Sequence, residues 1–217
     1  MFTGIIQAIG TLAGREQRGG DLRLTVRSGS LPLADVRLGD SIATNGVCLT
    51  VVELTGEGYV ADLSRETLEL STFADLPVGS RLNLEKALTL STPLGGHLVS
   101  GHVDGVGRIL ERRDEARSVR FQVQAPADLA RYIAHKGSIC VDGASLTVNS
   151  VEGDRFDLNI VPHTQQETII ADYRPGARVN LEVDLVARYL ERLLLGDKAA
   201  EPGKPASGVT MALLAER

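Results

Sequence analysis

The chain has 217 residues, of which 43% are hydrophobic and 24% charged, as expected for an ordinary globular protein with one large or two small domains. Its net charge of −5 and its lack of Trp argue against a nucleic-acid-binding surface, which needs positive charge or an aromatic stacking face. No apolar run approaches the roughly 18 residues of a membrane span and two cysteines are too few for a disulfide framework, so we expect a cytoplasmic protein that binds a small molecule.

The first half of the chain has the pattern of short strands. Apolar and polar residues alternate in DLRLTVR (21–27) and again in YVADLS (59–64), which is typical of half-buried strands. Asn45-Gly46 lies between two apolar runs, the strongest short signal for a hairpin turn. The break PLADV (32–36) is long enough for one or two helical turns.

The second half of the chain repeats the first at a constant offset of 97 residues. GDSIATNGVCLTVVE (39–53) resembles KGSICVDGASLTVNS (136–150), and GSRLNLEKAL resembles GARVNLEVDL at the same offset. One register without a gap joins residues 1–88 to residues 98–185. The chain is therefore predicted to contain two copies of one unit.

About six short strands per unit, without alternating helices, predict a small antiparallel barrel. The expected fold class is all-β, with two tandem pseudo-symmetric six-stranded antiparallel barrels of Greek-key type and a C-terminal α-helix. The predicted domains are residues 1–97, residues 98–184, and a helical oligomerisation segment with its tail, residues 185–217. GGHLVSGHVDG (95–105) would then hold the opening strand of the second unit, and PADLARYI (126–133) one or two helical turns.

The C-terminal helix is predicted from apolar residues at helical spacing. Two neighbouring stripes in LVARYLERLLLG meet this criterion, namely Leu185, Tyr189, Leu193 and Val186, Leu190, Leu194. Gly196 is a plausible end of the helix. An amphipathic helix outside two closed barrels needs an apolar neighbour, which is either a barrel or another subunit. A last short helix is expected in VTMALLAER (209–217).

Five segments in order, MFTGI, NGVCLTV, GGHLVSGHVDG, DGASLTV and NLEVDLVARYLERLL, resemble the riboflavin synthase family. The resemblance covers essentially the whole chain. It implies a homotrimer with the C-terminal helix in the trimer contact, and neither a metal nor an organic cofactor. It also implies that two molecules of 6,7-dimethyl-8-ribityllumazine meet between the first barrel of one subunit and the second barrel of a neighbour. A four-carbon unit then passes between them, giving riboflavin and 5-amino-6-(ribitylamino)uracil.

The resemblance implies substrate contacts in matching segments of the two repeats. These residues are Gly4, Ile5, Ile6, Ser41, Cys48, Leu49, Thr50, Asp62, Leu63, Ser64, Arg65, Glu66, Thr67, Gly101, His102, Val103, Lys136, Ser145, Leu146, Thr147, Ile160, Val161, Pro162, His163, Thr164 and Gln165. Lys136 is implied to reach a ligand across the subunit boundary. The threonines have an alternative explanation, since Thr is also a good strand former. Gln165-Gln166 departs from the family pattern, which weakens the expected contact with the ribityl tail there.

His102 is the first catalytic candidate, because the first repeat has Ile5 at the matching position. The resemblance implies that a proton leaves the C7 methyl group of the donor, and an imidazole has a suitable pKa for this step. Our interpretation is that His102 is the general base, alone or with Thr147. His97 is expected to be a hinge or to support the site. A metal bound by His97 and His102 would lack a third ligand.

Two further positions differ between the repeats, and they add Cys48, Ser145 and Asp184 to the catalytic candidates. Cys48 matches Ser145, so one unit carries a thiol where the other carries a hydroxyl. The thiol can hydrogen-bond or add transiently to the ring, although a lone Cys is often only a small buried apolar residue. Asp184 matches Ala87 and is a candidate for catalysis or for a cap of the following helix. Phe2 either begins a strand or lies against the lumazine.

The alternative function is a non-catalytic antenna protein of the same fold, which binds a lumazine or flavin without converting it. Such a protein is expected to lose ligand-facing residues in one repeat. Here CLT (48–50) and SLT (145–147) are both present, together with SGHVDG (100–105), and this favours the enzyme.

Overall fold

The computed structural model describes residues 1–200 and contains two closed barrels of six antiparallel strands. The strands of the first barrel are β1 (Ala8–Arg18), β2 (Asp21–Arg27), β3 (Ser41–Thr44), β4 (Val47–Thr55), β5 (Gly58–Leu63) and β6 (Arg81–Lys86). They pair in the order β1-β2-β5-β4-β3-β6 and close into a ring. Because β2 pairs with β5 rather than with β3, the connection is of Greek-key type.

The second barrel reproduces the first. Its strands are β7 (Gly105–Glu115), β8 (Ser118–Gln124), β9 (Ser138–Val141), β10 (Ala144–Glu152), β11 (Arg155–Ile160) and β12 (Arg178–Val183). Each strand begins and ends 97 residues after its counterpart, and the order around the ring is equivalent. The predicted repeat and fold class are confirmed.

Alternation along the strands places one face of each in a barrel core. Leu22, Leu24 and Val26 are at most 1% exposed, as are Phe121 and Val123 on the matching strand β8. The intervening side chains of β2 are only partly buried or exposed. The period-two pattern in the sequence therefore predicts the inward face correctly.

Within residues 1–200, three α-helices accompany the barrels, α1 (Arg65–Leu70), α2 (Pro162–Glu167) and α3 (Leu185–Leu195). Helix α3 ends at Gly196 as predicted, whereas α1 and α2 were missed because six residues are too few to show helical periodicity. No helix among residues 1–200 is long and apolar enough to cross a bilayer. The predicted helix at 209–217 lies outside the described residues.

PADLARYI contains the expected helical turn, Ala130–Tyr132, but PLADV forms only one hydrogen-bonded turn, from Val36 N to Leu33 O at 3.0 Å. The opening strand predicted in residues 95–105 is wrong, because β7 begins only at Gly105. Residues 95–104 form a loop whose single bridge joins Val99 to Phe2, at the start of the other repeat. The glycines in this loop, one with φ of 80°, interrupt extended backbone.

The two barrels contact each other through their equivalent hairpin turns. Asn45-Gly46 and Asp142-Gly143 all have positive φ, as type I′ turns require. A Cβ atom on Gly46 would lie 2.7 Å from the main-chain nitrogen of Gly143, so the turns approach too closely for a side chain. Asn83 Nδ2 donates to the carbonyl oxygen of Asp142 at 2.9 Å, and the equivalent Asn180 donates to Asn45 at 2.8 Å. Polar groups at this contact are thus paired symmetrically.

Asp142, in the contact between the two barrels, makes the free energy of unfolding depend on pH. Burial raises its pKa to about 7, although Tyr173 OH and Asn180 N both donate to its carboxyl group. The pKa of Asp142 is higher in the folded chain than in the unfolded chain. The stabilising contribution of its protonated carboxyl group is therefore complete below about pH 3.9 and is lost as the pH rises to about 7.

We expect Asp142→Asn to remove this dependence. Between pH 4 and 7, the unfolding free energy of the native chain should fall more steeply than that of the variant, by up to about 1.4 kcal/mol per pH unit. Urea unfolding of both proteins at pH 5, 6 and 7 measures the two slopes. Parallel slopes would show that Asp142 titrates no differently in the folded and unfolded chains.

Candidate active site

A cleft of about 250 Å³ opens on the surface of the first barrel. Its walls come from the start of β4, from helix α1 with the residue after it, and from the loop that precedes the second barrel. The lining residues are Val47, Cys48, Glu66, Thr67, Leu70, Ser71, Gly101, His102 and Val103. Six of these were predicted as substrate contacts. Leu70 and Ser71 were missed because α1 was not predicted, and Val47, at the start of β4, was also missed.

Each barrel is contacted by a main-chain segment from the start of the other repeat. Cys48 N donates to the carbonyl oxygen of Gly101 at 2.8 Å, and in the second barrel Ser145 N donates to that of Gly4 at 2.7 Å. A Cβ atom on Gly101 would lie 2.7 Å from Cys48 Cβ, so only glycine permits this approach. Val103 packs against the first barrel's core and Ile6 against that of the second. The N-terminal segments of the repeats are therefore exchanged.

Two buried carboxylates hold the exchanged segments in place. Glu85 accepts hydrogen bonds from Thr3 N at 2.7 Å, Thr3 Oγ1 at 2.6 Å and Gly4 N at 2.9 Å. Glu182 accepts the same three bonds, at the same lengths, from Ser100 and Gly101. Burial raises the pKa of both carboxyl groups, and these hydrogen bonds oppose the shift. Sequence reasoning missed this role, although NLE recurs in both repeats and places a charge among buried strand residues.

His102 and Cys48 face the same cleft. Cys48 is partly buried and His102 is exposed, so both side chains are accessible to a molecule bound there. Thr147 does not line this cleft; it is exposed on β10 of the second barrel, opposite Ser138 of β9. The structure therefore does not bring Thr147 into the cleft that His102 lines.

His97 belongs to the other barrel. Its Nδ1 lies 2.7 Å from Ser145 Oγ, and its main-chain N–H donates to Thr3 O at 3.1 Å. Burial lowers the pKa of His97, and the charge of Asp184 opposes that shift. His97 supports the second barrel's predicted contact residue, as expected. Since His97 and His102 lie against different barrels, the structure does not bring them together as a metal site.

Some predicted contacts have side chains turned into the cores. Leu49, Leu63 and Ile160 are at most 2% exposed, so only their main chains can face a ligand. Phe2 is fully buried in a central cluster with Val99 and Cys140, which favours its structural interpretation. Asp184 caps α3 by accepting from Val186 N at 2.9 Å, which confirms the cap.

Other predicted residues already have partners within the chain. Arg23 donates twice to Asp62 at 2.6 Å, and these bonds hold the pKa of Asp62 below its usual value. Ser64 caps α1 by accepting from Thr67 N. Gln165 Nε2 donates to Ile160 O at 2.9 Å, so this amide nitrogen is paired within the chain.

The remaining predicted residues lie on helices α1 and α2, on paired strands, or at exposed positions of the loops, with one at the edge of the second core. Arg65 is exposed on α1, and Val161 precedes α2, which contains Pro162, His163 and Thr164, at the position equivalent to α1. Ser41 and Thr50 face each other across β3 and β4, and Ser41 lines a separate cleft with Lys86. Ile5 and Lys136 are exposed, and Leu146 packs at the edge of the second core.

The lumazine binding domain family matches the chain twice, over residues 3–87 and 100–184. The riboflavin synthase of Photobacterium phosphoreum is 51% identical over 99% of this chain and 97% of its own length. That of Bacillus subtilis is 38% identical over 100% of this chain and 99% of its own. The chain belongs to the riboflavin synthase family.

Solved structures share the fold of this chain. LumP complexed with riboflavin superimposes with a TM-score of 0.77 at 25% identity, covering 84% of this chain and 99% of that one. LumP complexed with 6,7-dimethyl-8-(1'-D-ribityl) lumazine gives 0.75 at 24% identity, which supports the shared fold.

Proposed function

We propose that this member of the riboflavin synthase family catalyses the transfer of a four-carbon unit between two molecules of 6,7-dimethyl-8-ribityllumazine. The products are riboflavin and 5-amino-6-(ribitylamino)uracil. The main support is the exchange of N-terminal segments between the repeats. It forms the same main-chain hydrogen bond at Cys48 of the first barrel and at Ser145 of the second. A reaction between two copies of one compound needs two similar binding surfaces, and the duplicated barrel supplies them.

The two surfaces differ in their reactive groups. The first carries His102 and Cys48, whereas the second carries Ile5 and Ser145 at the matching positions. In the proposed reaction His102 removes a proton from the C7 methyl group of the donor, as an imidazole can near neutral pH. Cys48 contacts the ring or adds to it transiently. Holding both reactants together converts an encounter into an intramolecular step.

The proposal includes a cytoplasmic homotrimer whose sites lie between the first barrel of one subunit and the second barrel of the next. The functional units are residues 1–97, 98–184 and 185–217. Four apolar side chains on α3 support such an assembly, because each is more than half exposed in the single chain; they are Val186, Tyr189, Leu190 and Leu193. In this proposal Lys136, which is exposed before β9, reaches a ligand across the subunit boundary.

We expect Leu193→Asp to break the trimer, because a charge would replace the 73% exposed leucine in the contact. Light scattering should show a fall from three times the 23.2 kDa chain mass to one, with most of the turnover lost. Leu38→Asp is the matched control, since Leu38 is 64% exposed but lies outside α3. Full activity in a monomeric variant would contradict the intersubunit site.

Incubation of the purified protein with the lumazine, without any added cofactor, tests the activity. We expect growth of a flavin absorption band, with one riboflavin formed for each two lumazines consumed. A stable lumazine complex with no flavin product would instead indicate the antenna function, which the LumP likeness keeps as the alternative.

A further inference from the structure

The main chain of His102 is held from both sides by the C-terminal part of the second repeat. Its N–H donates to Ser100 Oγ at 3.3 Å, and Ser100 is in turn bound to Glu182 at the end of β12. Its carbonyl oxygen accepts from Nη2 of Arg188 on α3 at 3.2 Å. The side chain of His102 therefore lines the first barrel's cleft, while its backbone is fastened to the second barrel and to α3.

Arg188 joins three elements at this point. The same Nη2 donates to Asp104 Oδ2 at 2.7 Å, and this oxygen also accepts from Val183 N, at the end of β12, at 2.8 Å. The Asp104 side chain is only 14% exposed and that of Arg188 32% exposed, so water screens the pair weakly. The guanidinium thus connects the loop carrying His102 to helix α3.

The first repeat does not carry the same arrangement. The repeat register ends at Leu88, so no first-repeat residue corresponds to Arg188; the residues that follow Leu88 form a turn in which Ser91 Oγ lies 3.1 Å from Thr89 Oγ1. Gln7 replaces Asp104 and still accepts from Lys86 N at 3.0 Å, so the contact with the last strand is common to both repeats. The charged pair is therefore not required for a barrel of this type to close. It occurs in the repeat that carries His102 instead of Ile5.

We propose that Arg188 is a positioning residue that fixes the main chain of His102 and so keeps its imidazole in the cleft of the first barrel. Helix α3, whose apolar side chains we place in the trimer contact, then determines the position of the base as well. This inference rests on the proposed function.

The kinetic test compares Arg188→Ala, Arg188→Lys and Arg192→Ala. Arg192 is exposed on the same helix, so its variant controls for loss of charge on α3. We expect Arg188→Ala to lower kcat about 10-fold, because small displacements of a catalytic group reduce rates strongly, with KM changed less than twofold. Lysine should restore part of the rate, and light scattering should give the same mass for all variants.

A double mutant distinguishes the loss of His102 positioning from a general destabilisation of the fold. Since Arg188 acts through His102, adding Arg188→Ala to His102→Gln should reduce kcat no further than His102→Gln alone. A further 10-fold loss in the double mutant, or an equal loss in Arg192→Ala, would overturn the proposal.

An activity-independent measurement keeps this inference separate from the proposed function. NMR spectra of the histidine rings, assigned by His→Gln variants, should show a shift of the His102 signal in Arg188→Ala while those of His135 and His163 stay in place. An unmoved His102 signal would refute positioning by Arg188 even in an active enzyme. Failure of the native protein to form riboflavin would refute the proposed function alone.

Discussion

Replacing His102 by glutamine should lower kcat at least about 100-fold, the usual contribution of a general base, while the affinity for the lumazine changes less than threefold. Glutamine has a similar size and still hydrogen-bonds, but it cannot accept the proton. Steady-state rates of riboflavin formation and titration of lumazine fluorescence measure the two quantities. His135→Gln is the control, since His135 is exposed and lies outside the cleft lining.

The relation between the two losses decides the role of His102. A variant in which kcat stays within a fewfold of the native value while affinity falls 100-fold would make His102 a binding residue only. The position of the imidazole in the same cleft as Cys48 favours the catalytic role, because both reactive groups then meet one ring.

Replacing Gly101 by alanine should both destabilise the protein and abolish most activity. The added methyl group would lie 2.7 Å from Cys48 Cβ and 2.8 Å from Phe2 Cε2, and the main-chain φ of 80° is unfavourable for alanine. We expect the unfolding free energy to fall by about 3 kcal/mol, within the range for overpacking plus backbone strain. Urea unfolding at constant protein concentration and the riboflavin assay provide the measurements.

Gly79 is a control for the cost of placing alanine at a positive φ without a steric clash. It has φ of 94° and no atom within 4 Å of an added Cβ atom, so Gly79→Ala should lose only about 1 kcal/mol and retain activity. Equal losses in the two variants would contradict a close contact between Gly101 and Cys48.

The fold was largely predictable because duplication provides an internal comparison. The offset of 97 residues fixes the equivalence of Gly46 and Gly143, and alternation within DLRLTVR identifies the inward face. The exchange of segments was not predictable, since it depends on main-chain hydrogen bonds from Cys48 and Ser145 to distant glycines. The main-chain N–H group is the same donor whatever the side chain. The pattern of side chains therefore does not indicate which barrel each segment contacts.

The candidate site was predictable only in part. Cys48 and His102 were selected because the repeats differ there, and the structure places both in one cleft. Glu85 and Glu182 are identical between repeats, so a comparison of the two copies gives no reason to choose them. Their importance follows from burial and from three hydrogen bonds each, which depend on the folded geometry.

Because the N-terminal segments of the two repeats are exchanged, residues at the start of one repeat contact the barrel formed by the other repeat. A change at Gly4 alters the surroundings of Ser145, whereas a change at Gly101 alters those of Cys48. In a library of random variants, suppressors of a defect at the amino terminus should therefore arise mainly near position 145. Selection acting on either half of this gene must constrain the other half as well.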